Sequence, residues 1–265
     1  MLNFAIQVAT EAGKLLRDRL GGKMGIMHKG FINLVTDVDL QSEQLIKEMI
    51  ASRYPKHEVL AEEGGLAQGA PSQYRWIVDP LDGTTNYAHG YPVFCVSIAL
   101  EISGRIELGV VYDPMREELF AAERGSGGSL NHRPIKVSGT NEISRSLLST
   151  GFPYDIKTSK FTNLDHWSNF AMRAQALRRD GAAALDLCYV ACGRFDGFWE
   201  LGLHPWDVAA GSLIVEEAGG QLSGFRRQPW SVYESEVVAS NGLIHDQMIE
   251  VLTGSVGAAE GTSRS

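Results

Sequence analysis

The densest group of chemically useful residues in the sequence is a short acidic segment that follows an apolar stretch. Asp79 comes directly after Val78, and Asp82 lies three residues further along. Two carboxylates held so close together repel each other unless a cation lies between them. Mg²⁺ is a hard cation that prefers oxygen ligands, so the pair indicates a magnesium site. A turn capped by the two Asp side chains is the alternative, and this segment alone leaves both interpretations open.

The residues around this acidic pair also set expectations for the backbone. Pro80 cannot donate a hydrogen bond to a sheet, so the strand is predicted to end there. Asp79 would then lie at the strand end, and Asp82 in the following turn. Gly83 followed by Thr84 is typical of a helix start, where free backbone N–H groups and a hydroxyl would face an anion.

Four further acidic positions are candidates for the same site. They are Glu62 after the apolar segment 59–61, Asp39 before the second predicted helix, Asp207 at the start of a helix of small residues, and Glu200 after an aromatic pair. Taken singly, each has a common structural role. A solvated strand edge suits Glu62, a helix N-cap suits Asp37 or Asp39 and also Asp207, and a surface salt bridge suits Glu200.

The composition describes an acidic, folded protein. The chain has 265 residues, of which 44% are hydrophobic and 21% charged, so it can bury a sizeable core. Its net charge of −8 argues against nucleic acid and anionic membranes as partners. An anionic substrate would need bound cations that reverse the local charge. Three cysteines and no long apolar run predict a soluble protein of the reducing cytoplasm.

Hydrophobic spacing predicts mixed helices and strands along the chain. Apolar residues recur at three and four positions from Phe4 to Leu16, which indicates an opening amphipathic helix. Further helices are predicted at about 40–53, 165–177, 182–195, 206–218 and 242–252. Strands are predicted around 59–61, 76–78, 94–100, 106–112, 118–122, 197–201 and 236–239, the third to fifth as an antiparallel meander. The Gly- and Ser-rich segment 125–133 is predicted to be a loop.

Together the acidic segments resemble the inositol monophosphatase family, within the lithium-sensitive, magnesium-dependent phosphatase superfamily. The matching stretches are NLVTDVD at 33–39, AEEGG at 61–65, WIVDPLDGTTNY at 76–87, GAAALDLCYVACGRFDGFWE at 181–200 and WDVAAGSLIVEEAGG at 206–220. They occur in the family's order and at close to its spacing, over about residues 1–252. The resemblance implies an α+β fold, a layered α-β-α-β-α sandwich of the inositol monophosphatase and fructose-1,6-bisphosphatase type.

The expected organisation is one compact catalytic domain over residues 1–253. Its N-terminal α+β half would span about 1–140, and its C-terminal α/β half about 141–253. Residues 254–265 are small and polar, and are predicted to form a disordered tail. The resemblance also implies a homodimer.

The resemblance implies two or three Mg²⁺ ions in each active site. Glu62, Asp79 and the backbone carbonyl of Leu81 would hold the first ion. Asp79, Asp82 and Asp207 would hold a second, and Glu62 would also reach a third, weaker one. Sensitivity to lithium would follow from displacement of a weakly held ion.

The remaining site residues follow from the same resemblance. Asp39 and Thr84 would orient and deprotonate the attacking water, and Glu62 completes the predicted catalytic set. Gly83 and Thr84 would offer backbone N–H groups to the phosphate. The residues expected to contact the hydroxyl-bearing body of the substrate are Ala183, Glu200 and Asp207. Independently of the resemblance, Arg178 and Arg179, which precede Asp180, are predicted to form a salt bridge near a dimer or domain seam.

The implied reaction is hydrolysis of a small phosphate monoester by metal-activated water, first of all inositol monophosphate to inositol and phosphate. Other polyol phosphates, sugar bisphosphates and histidinol phosphate are alternatives, because family pockets differ in their loops and share their metal ligands. A regulatory protein-binding role is the alternative from a different class, and an acidic surface is compatible with it.

Overall fold

The computed structural model describes residues 1–22, 26–28, 34–66 and 72–254. Its helices in this part of the chain are α1 Leu2–Arg19, α2 Asp37–Arg53, α3 Thr84–Ala88, α4 Leu164–Ala171, α5 Ala183–Ala191, α6 Pro205–Glu217 and α7 His245–Thr253, with a 3₁₀ turn at Ile143–Arg145. Among the described residues, no helix combines the length and apolar character that crossing a bilayer requires.

The strands of the described residues form one small hairpin and two larger sheets. They are β1 Ile26–His28, β2 Leu34–Thr36, β3 Glu58–Ala61, β4 Gly65–Leu66, β5 Tyr74–Asp82, β6 Cys95–Ile102, β7 Arg105–Asp113, β8 Glu118–Glu123, β9 Gly128–Leu130, β10 Arg133–Pro134, β11 Leu147–Thr150, β12 Ala176–Arg178, β13 Gly197–Leu201, β14 Gln221–Ser223 and β15 Glu236–Ser240. The eight-stranded sheet has the order β10-β9-β8-β7-β6-β5-β3-β4, and the five-stranded sheet β12-β11-β13-β15-β14. The hairpin is β1-β2.

The eight-stranded sheet separates two hydrophobic cores because its strands alternate their side chains between faces. In β6, Val96 and Ile98 belong to the core beneath α1 and α2, whereas Cys95 and Ala99 belong to the core on the opposite face. The first core is closed by the apolar stripe of α1, which includes the fully buried Leu16. The predicted opening helix and the antiparallel β6-β7-β8 meander are thereby confirmed.

Helices α5 and α6 lie between the two sheets. Their small and branched side chains, such as Ala184 and Ile214, share one core with Phe120 of the large sheet and Val237 of the small sheet. The other face of the small sheet is covered by α4 and α7 through a third core that includes Trp199. The layers therefore follow the order helix, sheet, helix, sheet, helix, which confirms the predicted fold.

Several boundaries differ from the sequence predictions. Strand β5 does not end before Pro80 but continues to Asp82. The predicted loop 125–133 contains β9, which extends the large sheet by pairing with β8. The helix predicted at 165–177 ends at Ala171, and Leu177 lies in β12 instead, because that segment pairs with β11 as an edge strand. Of the predicted disordered tail 254–265, residues 255–265 lie outside the described residues.

Candidate active site

The two acids of the densest segment face the same cavity because strand β5 is irregular between them. In a regular strand, side chains three residues apart point to opposite faces. The pairing of β5 with β6 shifts its register between Asp79 and Asp82, and Pro80 lies within the shift. A proline is tolerated at such an irregularity because it has no N–H to donate. The Leu81 N–H donates to Asp79 Oδ1 at 2.9 Å and fixes the orientation of that carboxylate.

Asp207 reaches the same cavity from the first turn of α6. It is not the N-cap of that helix, as one interpretation of the sequence had it, because His204 occupies the N-cap. The Asp207 Oδ2 atom instead accepts the N–H of His204 at 2.7 Å. This contact ties one oxygen of the carboxylate to the backbone at the helix start.

The four carboxylates among the predicted metal ligands line a single cavity of about 310 Å³ together with Glu200, although they come from β5, β13, α6 and the end of β3. The side chains concerned are Glu62, Asp79, Asp82, Asp207 and Glu200. Leu81, Gly83, Thr84 and Ala183 also line it, so of the predicted site residues only Asp39 lies behind the cavity wall.

The carboxyl groups in this cavity have raised pKa values, as buried anions held close together do. Burial raises the pKa of Asp79 well above its usual value, and the charges of Glu62, Asp82 and Asp207 raise it further. Burial also raises the pKa of Asp82 to about 6, although the Ala184 N–H, 2.8 Å from its Oδ2, opposes the shift. For Asp207, burial is again the main cause of a raised pKa.

These shifts show that the site favours a positive charge among its oxygens, since a cation would lower each of the raised pKa values. The donor set consists of oxygen atoms alone, which suits a hard cation such as Mg²⁺. In the described ranges, no three His, Cys, Asp or Glu side chains form a ready-made metal cluster. The carboxylates therefore share a cavity but do not form a closed coordination sphere.

Asp39 is buried behind the cavity and contacts it through Thr84. The Thr84 hydroxyl lies 2.9 Å from Asp39 Oδ1 and 3.1 Å from the Leu81 carbonyl oxygen. The N-cap of α2 is Thr36 and neither Asp37 nor Asp39; Asp39 stands three residues later and accepts the Thr36 N–H at 2.9 Å. Burial raises the pKa of Asp39, which makes its carboxylate a stronger base.

The turn between β5 and α3 requires glycine at position 83. Gly83 has a φ of 94°, and a Cβ atom there would stand 2.9 Å from the carbonyl oxygen of Val93. Thr84 then begins α3, as the sequence predicts. The first N–H groups of a helix lack partners within the helix, so this turn presents donors at the cavity wall.

Glu200 and Ala183 also line the cavity. Glu200 is half-buried, and burial raises its pKa to about 8 against the opposing charge of Arg179. A side chain at Gly151 would overlap the Glu200 carboxylate, so the glycine makes room for it. Ala183 is the first residue of α5.

The cavity wall includes Arg179, which was not assigned to the site from the sequence. Arg179 lines the cavity, and in the described part of the chain it forms no salt bridge of the kind expected for it. Tyr154 lines it as well, with 56% of its surface exposed. The position of Arg179, two residues before the matching stretch at 181–200, is the one signal that could have identified it. Asn33, the first residue of another matching stretch, lies outside the described residues.

The layered fold is that of the phosphatase class that the sequence resembles. A family model described as the inositol monophosphatase family matches residues 1–256. The chain therefore belongs to the inositol monophosphatase family.

Individual relatives support this assignment along nearly their whole length. An inositol-1-monophosphatase of Synechocystis is 44% identical over 95% of this chain and 88% of the relative. A protein of Pseudomonas aeruginosa named Nus factor SuhB is also 44% identical, over 91% of each chain. The solved inositol monophosphatase of Anabaena superposes with a TM-score of 0.87 and is 43% identical, covering 96% of this chain and 95% of that one.

A more distant solved structure contains a metal ion and an anion. It is an IMPase/NADP phosphatase complexed with Mg²⁺ and phosphate, with a TM-score of 0.80 and 25% identity over 95% of this chain and 92% of that chain. The metal and the anion in that complex are properties of that protein.

Proposed function

We propose that this protein hydrolyses small phosphate monoesters in a magnesium-dependent reaction, with inositol monophosphate as the first candidate substrate. The observation that carries the proposal is the convergence of Glu62, Asp79, Asp82 and Asp207 on one cavity beside the Gly83–Thr84 turn. The carboxylates of such a cavity repel a phosphate group unless bound cations neutralise their charge. Family membership supports both the reaction and the metal.

The metal-holding residues would be those with buried or half-buried oxygens around Asp79. Glu62, Asp79 and the Leu81 carbonyl would form one site, and Asp79, Asp82 and Asp207 a second. When bound there, Mg²⁺ would neutralise charge on the phosphate and lower the pKa of a water molecule. The backbone contact of each Asp carboxylate fixes the direction of its other oxygen, which orients the ligand set.

Thr84 and Asp39 would position the attacking water and take its proton. A threonine hydroxyl has one proton, so donation to Asp39 at 2.9 Å leaves its oxygen lone pairs free to accept from water. Asp39 is fully buried, so it would reach the water through this hydroxyl. The raised pKa of Asp39 suits a proton acceptor near neutral pH.

The other walls would bind the substrate. The N–H groups of Gly83 and Thr84 would donate to the phosphate oxygens. Glu200, Ala183 and Asp207 would contact the hydroxyl groups of the leaving alcohol.

The test is phosphate release by the purified protein from a panel of monoesters, with Mg²⁺ and with EDTA. Activity should require Mg²⁺, and Asp82→Asn should abolish it. Asp165→Asn, on the exposed first turn of α4, is the matched control and should retain wild-type rates. A folded wild-type protein that releases phosphate from no substrate in Mg²⁺ would refute the proposal.

A regulatory role through a protein partner is the second candidate, because a relative 44% identical to this chain is named as a Nus factor. The two roles separate in one strain experiment. The Asp82→Asn variant is expressed in Pseudomonas aeruginosa lacking its SuhB. If the wild-type chain corrects the defects of that strain, correction by the inactive variant as well would support the regulatory role, and correction by the wild-type chain alone would oppose it.

We also infer a cytoplasmic homodimer with one catalytic domain per chain, inhibited by lithium. Family membership and the acidic composition support these expectations. Light scattering at micromolar concentration should give twice the chain mass of 29.0 kDa. Insensitivity of the activity to millimolar Li⁺ would contradict the predicted weak metal site.

A further inference from the structure

The carboxylate-rich cavity contains one guanidinium that the proposed reaction does not use. Among the described residues that line the cavity, Arg179 alone carries a permanent positive charge. Throughout residues 1–22, 26–28, 34–66 and 72–254 it has no hydrogen bond and no ion pair. An arginine presents five N–H donors in a fixed fork, so this side chain has unused capacity for an anion.

The backbone at Gly181 determines where the guanidinium lies. A Cβ atom on Gly181 would stand 2.5 Å from Nη1 of Arg179 and 3.3 Å from the amide nitrogen of Asn86. The guanidinium therefore rests against the glycine, close to α3. Gly181 has a φ of +82°, which other residues adopt at a cost, so the turn favours the absence of a side chain there.

Arg179 and Glu200 line the same cavity. Burial raises the pKa of Glu200, and the positive charge of Arg179 opposes that rise. The guanidinium lies against Gly181, two residues before Ala183, which is expected to contact the body of the substrate.

We propose that Arg179 recognises a second anionic group, on the part of the substrate that is not transferred. The inference rests on the proposed phosphatase function and specifies its substrate class: phosphate monoesters whose alcohol carries a second phosphate or a carboxylate. Both groups match the planar fork of arginine in bidentate geometry. A neutral polyol offers hydroxyl groups alone and would leave the guanidinium charge without a partner.

The test compares three hexose 1-phosphates that differ only at C6, which carries a hydroxyl, a phosphate or a carboxylate. Initial rates with Mg²⁺ give kcat/KM for each compound. The wild-type protein should prefer one or both anionic compounds over the neutral one, and the stronger preference identifies the anion. Arg179→Ala should reduce that preference about 10- to 100-fold, the range expected for a lost charge-assisted contact. Arg179→Lys should retain part of it.

Arg178→Ala is the matched control, because this neighbouring arginine is also exposed and does not line the cavity. Its Nη1 donates to the Leu177 carbonyl at 2.9 Å. The control should keep the wild-type preference.

Three results would overturn the inference. An equal loss of kcat/KM for all three compounds in Arg179→Ala would place the guanidinium on the transferred phosphate. Hydrolysis of the neutral compound without preference for an anionic C6 would refute this inference and leave the proposed function intact. Failure of the wild-type protein to hydrolyse any phosphate monoester would refute the proposed function, and this inference with it.

Discussion

Asp79 is buried beside three other carboxylates, so its negative charge destabilises the folded protein. The same charge would bind the proposed metal ion. Asp79→Asn keeps an oxygen that can accept the Leu81 N–H but removes the charge. We expect at least a ~100-fold loss of activity together with a rise in stability of about 1 kcal/mol in EDTA, or roughly 2–4 °C in Tm. Thermal melts with EDTA and with Mg²⁺ check this, since Mg²⁺ should raise Tm only for the wild type. A variant less stable than wild type in EDTA would contradict the electrostatic argument.

Substitution of Thr84 tests the proposed transfer of a proton from water to Asp39. In that mechanism the Thr84 hydroxyl alone connects the buried Asp39 to the cavity. Thr84→Val removes the hydroxyl at nearly constant shape and should lower kcat about 100-fold or more, within the range of general base catalysis. Thr84→Ser keeps a hydroxyl and should retain most of kcat. Steady-state rates with saturating Mg²⁺ measure both. Equal rates for the valine and serine variants would exclude this path.

The acids themselves could be predicted from the sequence, but not how the backbone uses them. Asp39 and Asp207 were both compatible with N-caps, and the structure assigns those positions to Thr36 and His204. Each Asp stands three residues inside its helix and accepts the N–H of the capping residue. Residue type alone does not separate these two positions, because a short acid can occupy either of them.

At the scale of elements, the approach of α6 to the large sheet sets the position of Asp207. A Cβ atom on Gly109 of β7 would stand 2.7 Å from the Ala210 carbonyl oxygen and 2.8 Å from its Cα. Gly109→Ala should therefore displace α6, cost about 1–3 kcal/mol, and lower activity through the shifted carboxylate. Urea unfolding and kcat measure the two effects.

Gly139→Ala is the control for this prediction, since a Cβ atom there would meet nothing within 4 Å and its backbone is not left-handed. It should change neither quantity appreciably. Wild-type stability and activity in Gly109→Ala would contradict the prediction, because α6 would then tolerate a Cβ atom at position 109 without being displaced.

The elements that sequence reasoning placed correctly are those with strong local patterns, such as α1 and the β6-β7-β8 meander. The strand through Pro80 and the short β12 depend on partners far away in the sequence, β6 and β11. Local propensity carries no information about such pairing, so a proline predicted to end the strand instead lies in a register shift. The same shift brings Asp79 and Asp82 to one face.

At the scale of the whole molecule, the site depends on two sheets that share α5 and α6 as a common layer. Asp82 lies on the large sheet and Glu200 on the small sheet, and both line the cavity. A site built across the layers loses its geometry if either sheet separates from the shared helices. The stability of the outer α7 layer, which covers the small sheet, therefore bears on activity.

His245 is the first residue of α7, and its ionisation makes the stability of the folded protein depend on pH in a direction that can be worked out. It is buried between the Ser223 and Ser240 hydroxyls, 2.8 and 2.9 Å from its ring nitrogens. Burial lowers its pKa to about 4, against 6.5 for the ordinary residue. Between these values the unfolded chain binds a proton that the folded chain does not, so stability is lost as pH falls. From pH 7 to 5 this contribution should fall by about 2 kcal/mol.

The raised pKa values of Glu200, about 8, and Asp82, about 6, act in the opposite direction, because those folded-state carboxyls retain protons that the unfolded chain has released. A comparison with His245→Gln in EDTA isolates the histidine, since both proteins keep the same acids. Urea titrations at pH 7 and pH 5 give the unfolding free energy of each protein. On acidification the wild type should lose about 2 kcal/mol more of this free energy than the variant does. Parallel pH profiles for the two proteins would show that the imidazole titrates in the folded state as it does in the unfolded chain.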